Sequence, residues 1–299
     1  MIKRLSVCLF IFSLTLFSSG VFASPQMPDY IIFKGDTIAT YNLILEQYLQ
    51  RHDTTKTEQL FGLSFRNSTN GSFSFNCWRG YQAIYKIDND SLFLVDIINC
   101  GERRNGKIDK AASFKKMKEV FGNGFINDRV YINWFSGDLN FPLTNKVLRW
   151  DGVFYKIYEK ETVVNISNGK VSNIEHVNNY EAVPNAKDRK DKSKVSDTFF
   201  EQLKKIKWKK INEFCAEDYI VTIDKEGKVS KVTMRRYQNP DTIEKYWDRA
   251  EYDSCIHTIF NSLRKLRFDI LKDKGKPISE DIYIGIWYDS KKRKIIRAV

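Results

Sequence analysis

Residues 218–288 constrain the fold more than any other stretch of this chain. They read DYIVTIDKEGKVSKVTM, then a segment around YDSCIHTIFNSLRKLRF, then KGKPISEDIYIGIWY. Tyr219 to Ile223 carries β-branched and aromatic residues and predicts a strand. Asp224-Lys225-Glu226-Gly227 predicts a turn, with Gly227 suited to a positive φ. Lys228 to Met234 is the partner strand. Ile256, Ile259, Phe260 and Leu263 fall on one face of a helix. Lys274-Gly275-Lys276-Pro277 then turns the chain into a last strand, Ile282 to Tyr288. The order strand, turn, strand, helix, turn, strand predicts a small α/β sandwich. Ahead of it, Thr198 and Glu201 have the spacing of a capping box, so a helix is expected to start at Thr198 and run through QLKKIKW.

Residues 1–23 have the three parts of an export signal. Lys3 and Arg4 give a positive start, Leu5 to Phe17 an apolar run, and Val21-Phe22-Ala23 the residues that signal peptidase reads. Cleavage between Ala23 and Ser24 is expected. The apolar run has 13 residues, against roughly 20 for a membrane span. No later segment is apolar enough to span. The mature chain is therefore expected in the periplasm or outside the cell, without an integral membrane segment.

Export changes the meaning of cysteine. Cys77, Cys100, Cys215 and Cys255 remain after cleavage, an even count in an oxidising compartment. WRGYQAIYKI and SLFLVDII flank the polar turn Asp88-Asn89-Asp90, which is a hairpin signal. Folding about that turn sets Cys77 opposite Cys100, within disulfide reach. Cys215 pairs with Cys255 by elimination. The wide spacing of the cysteines argues against a metal site, which wants close pairs and nearby histidines.

The segment PNAKDRKDKSKVS, residues 184–196, mixes charges and reads as a solvated basic linker. The expected organisation is a signal at 1–23, an α+β domain at 24–183, the linker, a small α/β domain at 197–289 and a basic tail at 290–299. The formal net charge is +12. Residues 24–183 carry 19 basic and 18 acidic residues, and 197–289 carry 18 and 17. The excess sits in the linker, with 5 basic and 2 acidic residues, and in the tail, with 5 and none. A nucleic-acid binder concentrates basic residues on a folded surface, so nucleic acid is not an expected partner.

The first domain reads as mainly antiparallel β. YIIFK, SFSFNCWRGYQAIYKI, SLFLVDIIN, RVYINWFSGDLNF, VFYKIYEKETVVNIS and KVSNIEHV are its strand segments. Asp109 caps a predicted amphipathic helix, KAASFKKMKEVF, with Phe114, Met117 and Phe121 on one face. TYNLILEQYLQ is a second predicted helix.

The second domain resembles the C-terminal domain of the TonB family. The residues that carry the resemblance are Val221 to Val229, the helix ending in Leu266-Arg267-Phe268, and Gly275-Lys276-Pro277-Ile278 before the final strand. It covers under a third of the chain. Ile270 stands where the family has a proline, and the insertion between Val232 and Asp253 is long. The family's membrane-spanning start and proline-rich spacer are not seen. The resemblance implies a partner peptide adding to a sheet edge, with main-chain hydrogen bonds giving affinity. The expected contact residues are Ile282, Tyr283, Ile284, Ile286, Trp287 and Tyr288.

Motifs of chemistry are scarce. His52, His176 and His257 form no metal-ligand pattern, and neither a nucleophile elbow nor a Walker loop occurs. Asp88 and Asp90 read as turn formers, Glu159 and Glu161 as one solvated strand face, and Asp138 as a turn residue beside aromatics. Catalytic residues, cofactors and metals are not expected. The leading expectation is a non-enzymatic envelope or secreted protein that binds a protein or peptide. The alternative is a hydrolase of envelope polymers, which would need converging polar groups in a cleft of the first domain.

Overall fold

A computed structural model describes residues 26–52, 75–77, 79–208, 215–292 and 294–297. The expected signal at 1–23 lies outside them. The fold is mixed α and β, mostly strands, with five short α-helices among the described residues. Contacts divide the chain into two compact units. Unit 1 is Met1–Leu139, Trp150–Lys156 and Asn165–Asn173, and unit 2 is Asn140–Arg149, Ile157–Val164 and Ile174–Val299.

Unit 1 begins with β1 (Asp29–Phe33) and β2 (Asp36–Thr40), joined by a tight turn, and α1 (Ile44–Leu49). β3 (Tyr81–Asp88) runs parallel to β1 and antiparallel to β4 (Ser91–Asn99). The β3–β4 turn puts Asn89 and Asp90 at φ 45° and 55°, the left-handed pair that matches strand twist in a two-residue hairpin. α2 (Lys110–Phe121) packs on β4, and the Asp109 side chain accepts a hydrogen bond from the Ala112 N–H, as the sequence predicts. Met117 is buried beneath it. β5 (Phe125–Ile126) and β6 (Arg129–Tyr131) follow, β6 pairing with β4. Ile31, Ile84, Leu92, Leu94 and Ile97 form much of this core. Further along the chain come β7 (Gly137–Pro142), β8 (Val147–Trp150), β9 (Lys156–Tyr158), β10 (Lys160–Ser167), β11 (Lys170–Asn178) and β12 (Tyr180–Glu181), whose residues 140–149, 157–164 and 174–181 belong to unit 2.

Both expected disulfides are present, Cys77–Cys100 and Cys215–Cys255. The route to the first differs from the expectation. The β3–β4 ladder starts at Tyr81↔Asn99, and Cys77 sits in a single 3-10 turn ahead of it. The two Cα atoms are 6.2 Å apart, wider than the roughly 4.5–5.5 Å of directly opposed strand residues.

In unit 2, α3 (Lys192–Leu203) leads to β13 (Asp218–Ile223) and β14 (Val229–Met234). α4 (Pro240–Tyr246) and α5 (Arg249–Leu263) follow, then the hairpin of β15 (Ile270–Asp273) and β16 (Lys276–Pro277). β17 (Glu280–Asp289) and β18 (Lys294–Arg297) end the unit. The antiparallel sheet has the order β14-β13-β17-β18. One face carries Tyr219, Val221, Ile223, Met234, Ile282, Ile284 and Ile286. It joins one apolar core with Phe199 and Leu203 of α3 and Cys255, Ile259 and Leu263 of α5.

Four expectations change here. Residues 184–196 are not an unpacked linker: Arg189 is fully buried, Val195 enters the core, and α3 starts at Lys192. Mixed charge reads as solvated, but here an ion pair to Glu280 draws Arg189 inside. The division between units accordingly falls elsewhere, with 140–149, 157–164 and 174–183 grouped with the C-terminal half. α3 is capped by Asp191, which accepts from the Ser193 N–H, while Thr198 sits mid-helix and bonds the Lys194 carbonyl. The basic tail contains β18, because Ile295 reaches the core from within a charged run.

Candidate functional site

The strand expected to bind a partner is split by its own alternation. Ile282, Ile284 and Ile286 are buried in the core, and Tyr288 packs against it. Tyr283 and Trp287 point the other way and are 54% and 58% exposed. Ile296, opposite Trp287 on β18, is 44% exposed. These three residues form an aromatic and aliphatic strip on the face of the sheet away from the helices.

β17 is the free edge expected from the sequence only in part: β18 pairs with Ile286–Asp289, and beside Tyr283 the side away from β13 is met by the Ser196 hydroxyl, which donates to the Tyr283 carbonyl. It lies between β13 and β18. The Ile286 N–H donates to the Glu217 carbonyl, and by alternation Ile284 and Ile282 face β13 as well. Trp287 and Asp289 stand opposite Ile296 and Lys294 of β18. The outer strands are β14 and β18, and they carry exposed Lys231, Lys294 and Arg297. Basic side chains on outer strands are a common guard against strand addition.

A pocket of about 160 Å³ opens beside Tyr283. Ser196, Asp218, Arg235, Tyr283, Gly285 and Arg297 line it, with Tyr219 and Ile284. The Ser196 hydroxyl donates to the Tyr283 carbonyl at 3.0 Å and accepts from Arg297 at 2.9 Å. Arg297 also pairs with Asp197. The Arg235 guanidinium lies 5.3 Å from the centre of the Tyr283 ring, and the Lys192 amine 5.9 Å from it. The pocket offers donors, a charge pair and an aromatic wall, which suits binding of a polar group.

The other sequence candidates are dispersed. His52 stacks on Tyr48, His176 bonds the Thr162 hydroxyl and His257 lies exposed on α5. Among the described residues, no group of His, Cys, Asp and Glu could hold a metal ion. Asp88 pairs with Arg129. Asp138 lies on β7 rather than in a turn, and its carboxylate accepts from Asn165 at 2.7 Å. Glu159 and Glu161 do not share a solvated face. Glu161 is buried and accepts from Asn179, Asn140 and the Tyr158 N–H, and burial pushes its carboxyl up. Glu159 is held below the usual carboxylate range by hydrogen bonding to Lys190.

Two charged clusters were invisible in the sequence because their members are far apart along it. In unit 1, Arg79 donates to both Asp29 oxygens at 3.0 and 2.9 Å and to Glu46 at 3.3 Å. Tyr81 donates to Glu46, and the Tyr85 hydroxyl accepts from the Leu45 N–H. Burial pushes the Asp29 carboxyl up to about 6 against the pull of Arg79, and the Glu46 charge adds to the rise. Burial and the two carboxylates raise both tyrosines well above their ordinary value. Asp29 is 0% exposed, so these converging groups form a closed knot rather than a cleft. In unit 2, Glu280 accepts from Arg149 and Arg189. Burial alone would raise its carboxyl, but Arg149, Arg189 and Lys192 hold it below the usual range.

Among the described residues, no helix is long and apolar enough to cross a membrane. Comparisons of the chain with protein-family models, curated proteins and solved structures found no match.

Proposed function

We propose that this chain works outside the cytoplasm as a non-enzymatic binding protein for another envelope protein or peptide. Residues 197–289, within unit 2, are its TonB-like binding module. The observation that carries this reading is the exposed strip of Tyr283, Trp287 and Ile296 beside the polar pocket. Large aromatic side chains on an open surface are the usual anchors of protein contacts. Two disulfides suit an oxidising compartment. The contact is made by the face of the sheet, because the outer strands are guarded by basic residues.

The test compares the exported chain with a Tyr283→Ala, Trp287→Ala double variant in affinity capture from envelope extract. Both side chains are largely outside the core, so the variant should fold. It should lose a partner that the parent retains, corresponding to at least about 2 kcal/mol for anchors of this kind. Equal capture by both chains would rule the strip out as the contact surface.

A further inference from the structure

We infer that the pocket beside Tyr283 receives a carboxylate of the partner, with Arg235 as the residue that binds it. The inference rests on the reading of this face as a peptide-binding surface and adds the chemistry of what it selects. The cations near Tyr283 differ in what they already hold. Lys192 has Glu280 at 3.7 Å, and Arg297 has Asp197 and Ser196. Arg235 has neither an ion pair nor a side-chain hydrogen bond among the described residues, and its guanidinium lies by the Tyr283 ring. A guanidinium held near a ring by its charge keeps its planar fork of N–H donors available to an anion. A carboxylate meets such a fork with two parallel hydrogen bonds. The volume of about 160 Å³ admits a group of acetate size.

The strip sets the spacing. Tyr283 and Trp287 are four residues apart on β17, roughly 13 Å at about 3.3 Å per residue. An extended peptide crossing this face would place an acidic side chain at the pocket and an apolar one, four residues away, against Trp287 and Ile296. Asp218 also lines the pocket and opposes an anion there, which supplies an internal control.

The experiment selects a displayed library of random ten-residue peptides on the full exported chain with its disulfides intact. Selected sequences should be enriched in Asp or Glu four positions from an apolar residue. Changing that acid to its amide should weaken binding at least tenfold. Arg235→Gln should abolish the acidic preference and keep the apolar one, and Trp287→Ala should do the reverse. Asp218→Asn should tighten the acidic peptides. Enrichment of apolar peptides without an acidic preference would overturn the carboxylate site and leave the peptide-binding surface standing. No enrichment at all would overturn both.

Discussion

At Gly227 the backbone takes φ 76°, and a Cβ there would lie 2.1 Å from the Phe268 carbonyl oxygen. The turn between β13 and β14 thus presses on the chain just after α5, and the Phe268 N–H donates back to the Gly227 carbonyl. Gly227→Ala adds the left-handed strain of an L-residue, about 1–2 kcal/mol, to a clash with backbone. Urea unfolding should show a loss of roughly 2–4 kcal/mol. A loss below about 0.5 kcal/mol would mean that the turn yields freely. Asp29 makes a second prediction at this scale. Its carboxyl is raised to about 6, so the folded chain holds this proton more tightly than the unfolded chain. The stabilisation is full below the ordinary carboxylate value and is lost as pH rises through about 6. Asp29→Asn removes the titration. Relative to that variant, the parent should lose on the order of 1–3 kcal/mol between about pH 4 and pH 7. A difference in unfolding free energy that stays flat with pH would contradict this. The Gly227 turn was legible because a glycine closing the Asp224-Lys225-Glu226 turn between two β-rich runs supplies the positive φ such a turn uses. The Asp29–Arg79–Glu46 knot was not, since its members stand 50 and 33 positions apart.

At the scale of elements, α3 separates two ways of starting a helix. Thr198 and Glu201 have capping-box spacing, yet Asp191 begins the helix seven positions earlier. The missed signal was Asp191 before a polar first turn, with Val195 and Phe199 four apart on the buried face. Asp191→Ala should lower the midpoint of chemical denaturation, as cap removals do. Thr198→Ala should change stability by less than about 0.5 kcal/mol. The reverse ranking would contradict the observed cap. Strands with strong patterns, such as Ser91–Asn99 and Asp218–Ile223, were readable because β-branched and aromatic residues fill them. β18 was not readable, because two isoleucines among five basic residues score as a tail. Its partner β17 ends at Asp289, close enough for a hairpin, but the charged residues between the two strands give no glycine or asparagine turn signal. That same omission made β17 look like an edge.

At the scale of the molecule, each disulfide closes a loop within one unit, Cys77–Cys100 in unit 1 and Cys215–Cys255 in unit 2. The pairing was legible from a hairpin and an even count. The division of the chain was not, because three separate segments compose each unit and composition is read along a single line. The buried cluster of Arg149, Arg189 and Glu280 draws together two of those segments, Asn140–Arg149 and Ile174–Val299. Unit 2 is proposed to meet its partner through the face of its sheet and not its edges. Photo-crosslinking in living cells tests this most directly. A photoreactive amino acid is placed in turn at Trp287 on the face, Lys231 on β14 and Lys294 on β18. A discrete partner adduct is expected from position 287, with little or none from 231 and 294. Adducts confined to 231 or 294, with none at 287, would contradict it.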